Sequence, residues 1–391
     1  MNTEESRAMR TAITGYKELS GPAAATGPEL LITGLPRSGN TLAMSLLSSL
    51  PNTVALDEAM RQVEVNLCDT PQEISILARR FLNEQRALAR HEGVVWTFQK
   101  DGKTTDNGFQ GATTASGRTR SVQQGWARVD TPVDGSTLFL LKQPVIFAAS
   151  LPALVHDFNI FAAVRNPIAA LGSWNTVDFG LKSGRAQSAE KLDPRLKERL
   201  DKGKTRFEQQ AILIHWFFEQ FSKYLPAEKI IRYEDTIATR GKNLSQVLPA
   251  AASIDRPLSS RNSSNDYDKT VLLEAGETLL RMDGAAWNYY TRQEARDLLD
   301  DLTMGGFSPV GAVINSAPTR FGPSGQPMRG TPQQIAQMPV QAQRPTAPAA
   351  PAMPMPSIPG APSLADLPDD LKLGTARKAV TQSGSKRRKH R

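Results

Sequence analysis

At 391 residues, 39% of them hydrophobic and 22% charged, the chain is long enough for one large core with insertions or for two modest domains. No apolar run approaches the roughly 20 residues of a membrane span, and the single cysteine, Cys68, rules out an internal disulfide and a cysteine-based zinc site. Residues 312–391 hold 11 Lys/Arg against 3 Asp/Glu, which accounts for the whole net charge of +8 and leaves 36 of each sign in residues 1–311, so basicity makes no case for nucleic acid at a folded site.

In chain order, residues 1–27 carry acidic groups early, lack the apolar stretch of a secretory signal and end in GPAAATG, which predicts a flexible lead-in and a cytoplasmic protein. Short apolar strands are expected at 30–33, 54–56, 138–141, 160–164 and 229–232. Helical patterns fall at 41–50, 73–90, 167–175, 206–224, 243–251 and 287–302. Strands without strict alternation, separated by helices, predict an α/β layered domain over 28–311, with a central, mostly parallel sheet flanked by helices. Its ligand belongs at the carboxyl ends of the strands. The stretch 94–132, rich in Gly, Thr, Gln and Asp with Trp96, Phe109 and Trp126, interrupts this rhythm as an insertion, either a lid or a poorly ordered loop. Residues 312–391, rich in Pro, Ala and Gln and ending SKRRKHR, are expected to be a disordered tail. Its basic end suits an acidic partner or serves only solubility.

Three segments carry chemistry. In LLITGLPRSGNTLAM, Gly34 and Gly39 followed by Asn40-Thr41 have the spacing of a phosphate-binding P-loop between a strand and a helix, which makes the predicted domain P-loop NTPase-like. In an NTPase, the residue after the second Gly is a Lys that reaches the β/γ-phosphates. Here it is Asn40, and the positive charge sits inside the loop at Arg37. Such a loop fits one phosphate-like group and lacks the clamp for a triphosphate. Further on, FNIFAAVRNPIAALGSW puts Arg165 at a strand end and Ser173 eight residues later in the next helix, a spacing that lets both converge on a second phosphate. KIIRYED then ends another strand in Tyr233 and two carboxylates.

Together and in this order, the segments resemble those of the sulfotransferases that use 3′-phosphoadenosine 5′-phosphosulfate (PAPS), over roughly residues 30–300. The likeness is nearest in style to the tyrosylprotein and bacterial members. It implies in-line transfer of a sulfonate from PAPS to a hydroxyl or amine acceptor, without a metal. Arg37 stabilises the departing phosphate, while the backbone amides of Ser38, Gly39 and Asn40 and the Thr41 hydroxyl cradle the 5′-phosphate. Arg165 and Ser173 take the 3′-phosphate. Tyr233 approaches the nucleotide or else belongs to the core. Asn40 departs from the family's Thr or Ser, and its amide can still donate a hydrogen bond.

Glu58 matches the catalytic Glu of the tyrosylprotein enzymes and stands as the acceptor's base, or else it caps the next helix beside Asp57. Lys142, in LFLLKQPVIF, matches a family Lys-x-Pro and bears on the sulfonate or acceptor oxygen, or else it snorkels at a strand end. Ser263 and Ser264 fall where the family has a late polar loop. His91 and His156 are the alternative bases, and His215, in an apolar helix, reads as a core residue. The acceptor's class (sugar, lipid, peptide or small molecule) and the oligomeric state do not follow from the resemblance. Two rival readings stand beside it: a P-loop kinase, which needs the missing Lys and a magnesium-binding carboxylate, and a non-catalytic scaffold acting through its tail.

Overall fold

The computed structural model describes residues 25–100, 121–177, 179–264 and 266–304. The lead-in up to residue 24, the domain boundary at 311 and the tail over 312–391 lie outside the described residues.

Strands β1 (Glu29–Gly34), β2 (Thr53–Asp57), β5 (Leu138–Lys142), β6 (Ile160–Val164) and β7 (Ile230–Arg232) form one sheet in the order β2-β5-β1-β6-β7. Every pairing is parallel. Because successive side chains point to opposite faces, Leu30 and Ile32 join one core with helix Asn40–Ser48, and Leu31 joins the other with helices Pro71–Glu92 and Pro144–Asp157. Two buried faces explain why these strands read as continuous apolar runs. The fold is therefore the predicted α/β layering of helices on a central parallel sheet. Among the described residues, no helix is long and apolar enough to cross a membrane.

The helices begin where the backbone is chemically prepared for them. Pro71–Glu92 opens on a reciprocal Thr70/Glu73 capping box with a proline in its first turn, and Gly93 closes it in the left-handed conformation. Helix Pro144–Asp157 escapes pattern reading because it is buried nearly all round and carries Pro152 in its interior. The expected helix at 243–251 is instead two 3-10 turns, Lys242–Gln246 and Pro249–Ser253, since Pro249 has no N–H to continue an α-helical ladder. The expected helix at 287–302 divides into a 3-10 turn, Ala285–Asn288, and helix Arg292–Met304.

Within 94–132, the described residues form a two-stranded antiparallel sheet of β3 (Val94–Gln99) and β4 (Gln123–Arg128). Trp96 pairs with Trp126 across it, edge to face with centroids 5.2 Å apart. Phe109 lies outside the described residues.

Candidate active site

The order of the large sheet fixes where a ligand can sit. The neighbours β1 and β5 send their crossovers in opposite directions, to β2 and to β6, and open a crevice at their carboxyl ends. The loop 34–41 fills that point. A cavity of about 450 Å³ lies there, lined by loop residues, by Asp57, Glu58 and Lys142 on the β2/β5 side, and by Arg165, Tyr233 and Arg261 on the β6/β7 side.

The loop is held in a conformation that its glycines permit. Gly34 and Gly39 have φ of 153° and 79°. A Cβ on Gly34 would come within 2.4 Å of Asn40 Oδ1, and one on Gly39 within 2.6 Å of the Tyr233 ring. Arg37, at φ 72°, is itself left-handed, which costs a non-glycine residue about 1–3 kcal/mol. The Ser38 N–H donates to the Leu35 carbonyl at 3.1 Å and tightens the turn. The Asn40 amide likewise donates to that carbonyl, at 2.9 Å, so the side chain ties the helix start to the loop's first residue. The first turn of helix Asn40–Ser48 leaves N–H groups without an intrahelical partner at this end of the sheet. Ser38 Oγ and Asn40 Oδ1 are buried without a hydrogen-bond partner.

On the β2/β5 side, strand register sets Asp57 beside Lys142. Lys142 is 2% exposed and does not snorkel. Its Nζ donates to Thr41 Oγ1 at 3.0 Å and pairs with Asp57 at 2.5 Å and Glu58 at 3.1 Å. Burial alone would favour the neutral amine, but Asp57 and Glu58 outweigh it and push the ammonium pKa above its ordinary value. Neither carboxylate caps the next helix, which begins at Gln62 with Arg61 as its N-cap. Glu58 has φ 42°, and its N–H donates to the Lys142 carbonyl at 2.9 Å. The hairpin supports this corner: Asp57 N–H donates to Thr97 Oγ1 at 2.8 Å, and Gln124 donates to the Glu58 carbonyl at 2.8 Å.

On the other side, Arg165 is buried beneath the loop. Its guanidinium donates to the Arg37 carbonyl at 3.0 Å, to Asn262 Oδ1 at 2.7 Å and to the Arg261 carbonyl, and it stacks 4.6 Å over the Tyr233 ring. Arg37 Nε donates to Ser173 Oγ at 3.0 Å, and the Trp174 indole donates to the Pro36 carbonyl at 2.9 Å. Arg165 and Ser173 thus both reach the P-loop. Burial pushes the Tyr233 hydroxyl pKa up, so it accepts the Arg261 N–H, at 2.9 Å, as a neutral phenol.

Sequence reasoning passed over several members of this site. In the sequence Asp57 reads only as a helix cap. Arg256 and Arg261 also line the cavity, and their one sequence signal is two cations in a polar late loop. Glu234 is the hub of that side, accepting from Asn166 N–H and Asn262 Nδ2 at 3.0 Å each and from the Tyr290 hydroxyl at 2.8 Å. Ser263 and Ser264 do not line the cavity, nor do His91, His156 and His215. His91 and His156 are exposed. His215 is a core residue, accepting from Ala286 N–H with its other ring nitrogen unpartnered.

No family model matches the chain, and no curated protein does. Among solved structures, the chain is similar to sulfotransferase STF9 from Mycobacterium avium, with 13% identity, 76% of this chain and 80% of the other covered, and a TM-score of 0.29. A likeness of that size concerns the course of the chain and not what the site binds.

Proposed function

We propose that this chain is a sulfotransferase that moves a sulfonate from PAPS to an acceptor hydroxyl. The observation that carries the reading is the contact of Arg37 and Thr41, in one loop, with three partners on two sides: Ser173 and Arg165 on one and Lys142 on the other. The donor has two anionic ends, and this arrangement supplies cations for both. The 3′-phosphate end of the nucleotide meets Arg165, Arg256 and Arg261, with Tyr233 as its floor. The phosphosulfate meets the helix N-terminus and Arg37.

Lys142 replaces what an NTPase uses at this point. There, the P-loop hydroxyl and a strand-end carboxylate hold magnesium. Here, the ammonium stands between Thr41 Oγ1 and Asp57 and neutralises charge on the departing oxygen without a metal. Glu58, on the same ammonium, accepts the acceptor's proton.

Calorimetry with adenosine 3′,5′-bisphosphate tests the reading. The wild-type chain should bind it. Arg37→Ala and Arg165→Ala, each verified as folded by circular dichroism, should weaken binding about 10- to 100-fold, the worth of a charge-assisted hydrogen bond. Equal affinity in both variants and the wild type would remove the proposal.

A further inference from the structure

Neither Glu234 nor Asn262 lines the cavity, yet between them they hold a residue that does, Arg165. Glu234 follows β7, in the first turn of the short helix Tyr233–Ala238. Its Oε2 accepts from the buried Tyr290 hydroxyl at 2.8 Å, which fixes the carboxylate in place. Its Oε1 is thereby aimed at the Asn166 N–H, just past β6, and at Asn262 Nδ2. The other end of the Asn262 amide, Oδ1, accepts from Arg165 Nε at 2.7 Å. All three donors to Glu234 are neutral, and Asn262 is the one that stands between the carboxylate and a guanidinium.

The chemistry of these groups allows one arrangement. A carboxylate only accepts and a guanidinium only donates, so an amide between them must turn its NH₂ to the first and its oxygen to the second. Hydrogen bonds in series also polarise one another, which makes Asn262 Oδ1 a stronger acceptor for Arg165. A guanidinium is a rigid, planar fork of five N–H donors. Three of those on Arg165 are taken, by Asn262 and by the Arg37 and Arg261 carbonyls. The rest have no partner among the described residues, and the side chain lines the cavity. Because the fork is planar, setting Nε sets where those remaining donors point.

The loop that carries Arg261 depends on the same contacts. Residues 255–264 contain no helix or strand. At Arg261 the backbone is held by side chains instead: its N–H donates to the Tyr233 hydroxyl, and its carbonyl accepts from Arg165 and, at 3.3 Å, from the Tyr267 hydroxyl. Arg37 has a separate hold, through Ser173, on the other side of the P-loop.

Resting on the sulfotransferase reading above, we propose that Glu234 and Asn262 are positioning residues for the nucleotide's 3′-phosphate. The carboxylate locks the amide, and the amide locks both the Arg165 fork and the loop that bears Arg261. Neither residue touches the nucleotide. The relay serves one end of the ligand, so it should distinguish two nucleotides that differ in the 3′-phosphate alone.

Calorimetry on the full chain makes that comparison, with adenosine 3′,5′-bisphosphate against adenosine 5′-monophosphate. The wild type should bind the bisphosphate more tightly. Asn262→Ala and Glu234→Gln should each weaken the bisphosphate about 10-fold, the lower end of a charge-assisted hydrogen bond, and change monophosphate affinity less than about twofold. Since the two residues act in series, the double variant should bind no more weakly than the weaker single. Asn262 is half-buried in an irregular loop, so its truncation carries the test if Glu234→Gln fails to fold. Unmoved bisphosphate affinity in either folded variant, equal losses for both nucleotides, or additive losses in the double variant would overturn the relay and leave the donor reading standing. Absence of bisphosphate binding by the wild type, or no preference for it over the monophosphate, would overturn the donor reading and the relay with it.

Discussion

At the scale of single residues, the site concentrates cost. Among the described residues, four non-glycine positions have positive φ, and two of them, Arg37 and Glu58, line the cavity. Strain of this kind persists only where the surroundings over-determine it, and both residues are pinned. Arg37 is held through its Nε and its carbonyl, Glu58 through its N–H and its carbonyl. Lys142 is the residue on which most depends, because its removal leaves Asp57 half-buried without its counter-charge. Lys142→Met should destabilise the fold by about 3–5 kcal/mol in urea and lower sulfonate transfer about 10²- to 10³-fold. The double variant Lys142→Met, Asp57→Asn separates the two effects: stability should largely return while transfer stays low. Return of both would make Lys142 a structural residue only.

At the scale of elements, the hairpin of β3 and β4 props up the corner that holds Asp57 and Glu58. Its Thr97 is fully buried and receives the Asp57 N–H, while Gln124 holds the Glu58 carbonyl. Thr97→Val keeps the shape and removes the acceptor, so a buried N–H is left unpaired at a cost of about 1–3 kcal/mol. The expected outcome is a lower urea midpoint with a reduced kcat. The affinity for adenosine 3′,5′-bisphosphate should be unchanged, because the contacts proposed for it are to the P-loop and the β6/β7 side and not to the hairpin. A loss of nucleotide affinity equal to the loss in kcat would show that the hairpin supports the whole crevice.

At the scale of the molecule, His215 stands where helix Arg206–Tyr224 meets the turn Ala285–Asn288. Burial, with Arg199 and Arg292 adding to it, pulls its pKa from 6.5 down to about 4. The unfolded chain therefore takes up this proton first as pH falls. Stability from His215 is complete above pH 6.5, declines below it and is exhausted under pH 4, a total on the order of 3 kcal/mol. Urea midpoints at pH 7.5 and pH 5 should differ by about 2 kcal/mol from this group, and His215→Leu should remove that difference. An undiminished slope in the variant would assign it to other groups. The same reach of tertiary structure marks what could be read beforehand. Local sequence determined the strands, the P-loop turn and the spacing of Arg165 and Ser173, because each depends on neighbours within about ten residues: an apolar run, two glycines, a helical repeat. It could not give helix Pro144–Asp157, which is apolar all round, or the pairing of Thr41, Asp57 and Lys142, which strand register alone creates. Nor could it say that the hairpin bears on Glu58. Partners 40 to 130 residues apart meet only once the sheet has ordered its strands, and that order is set by burying both faces at once.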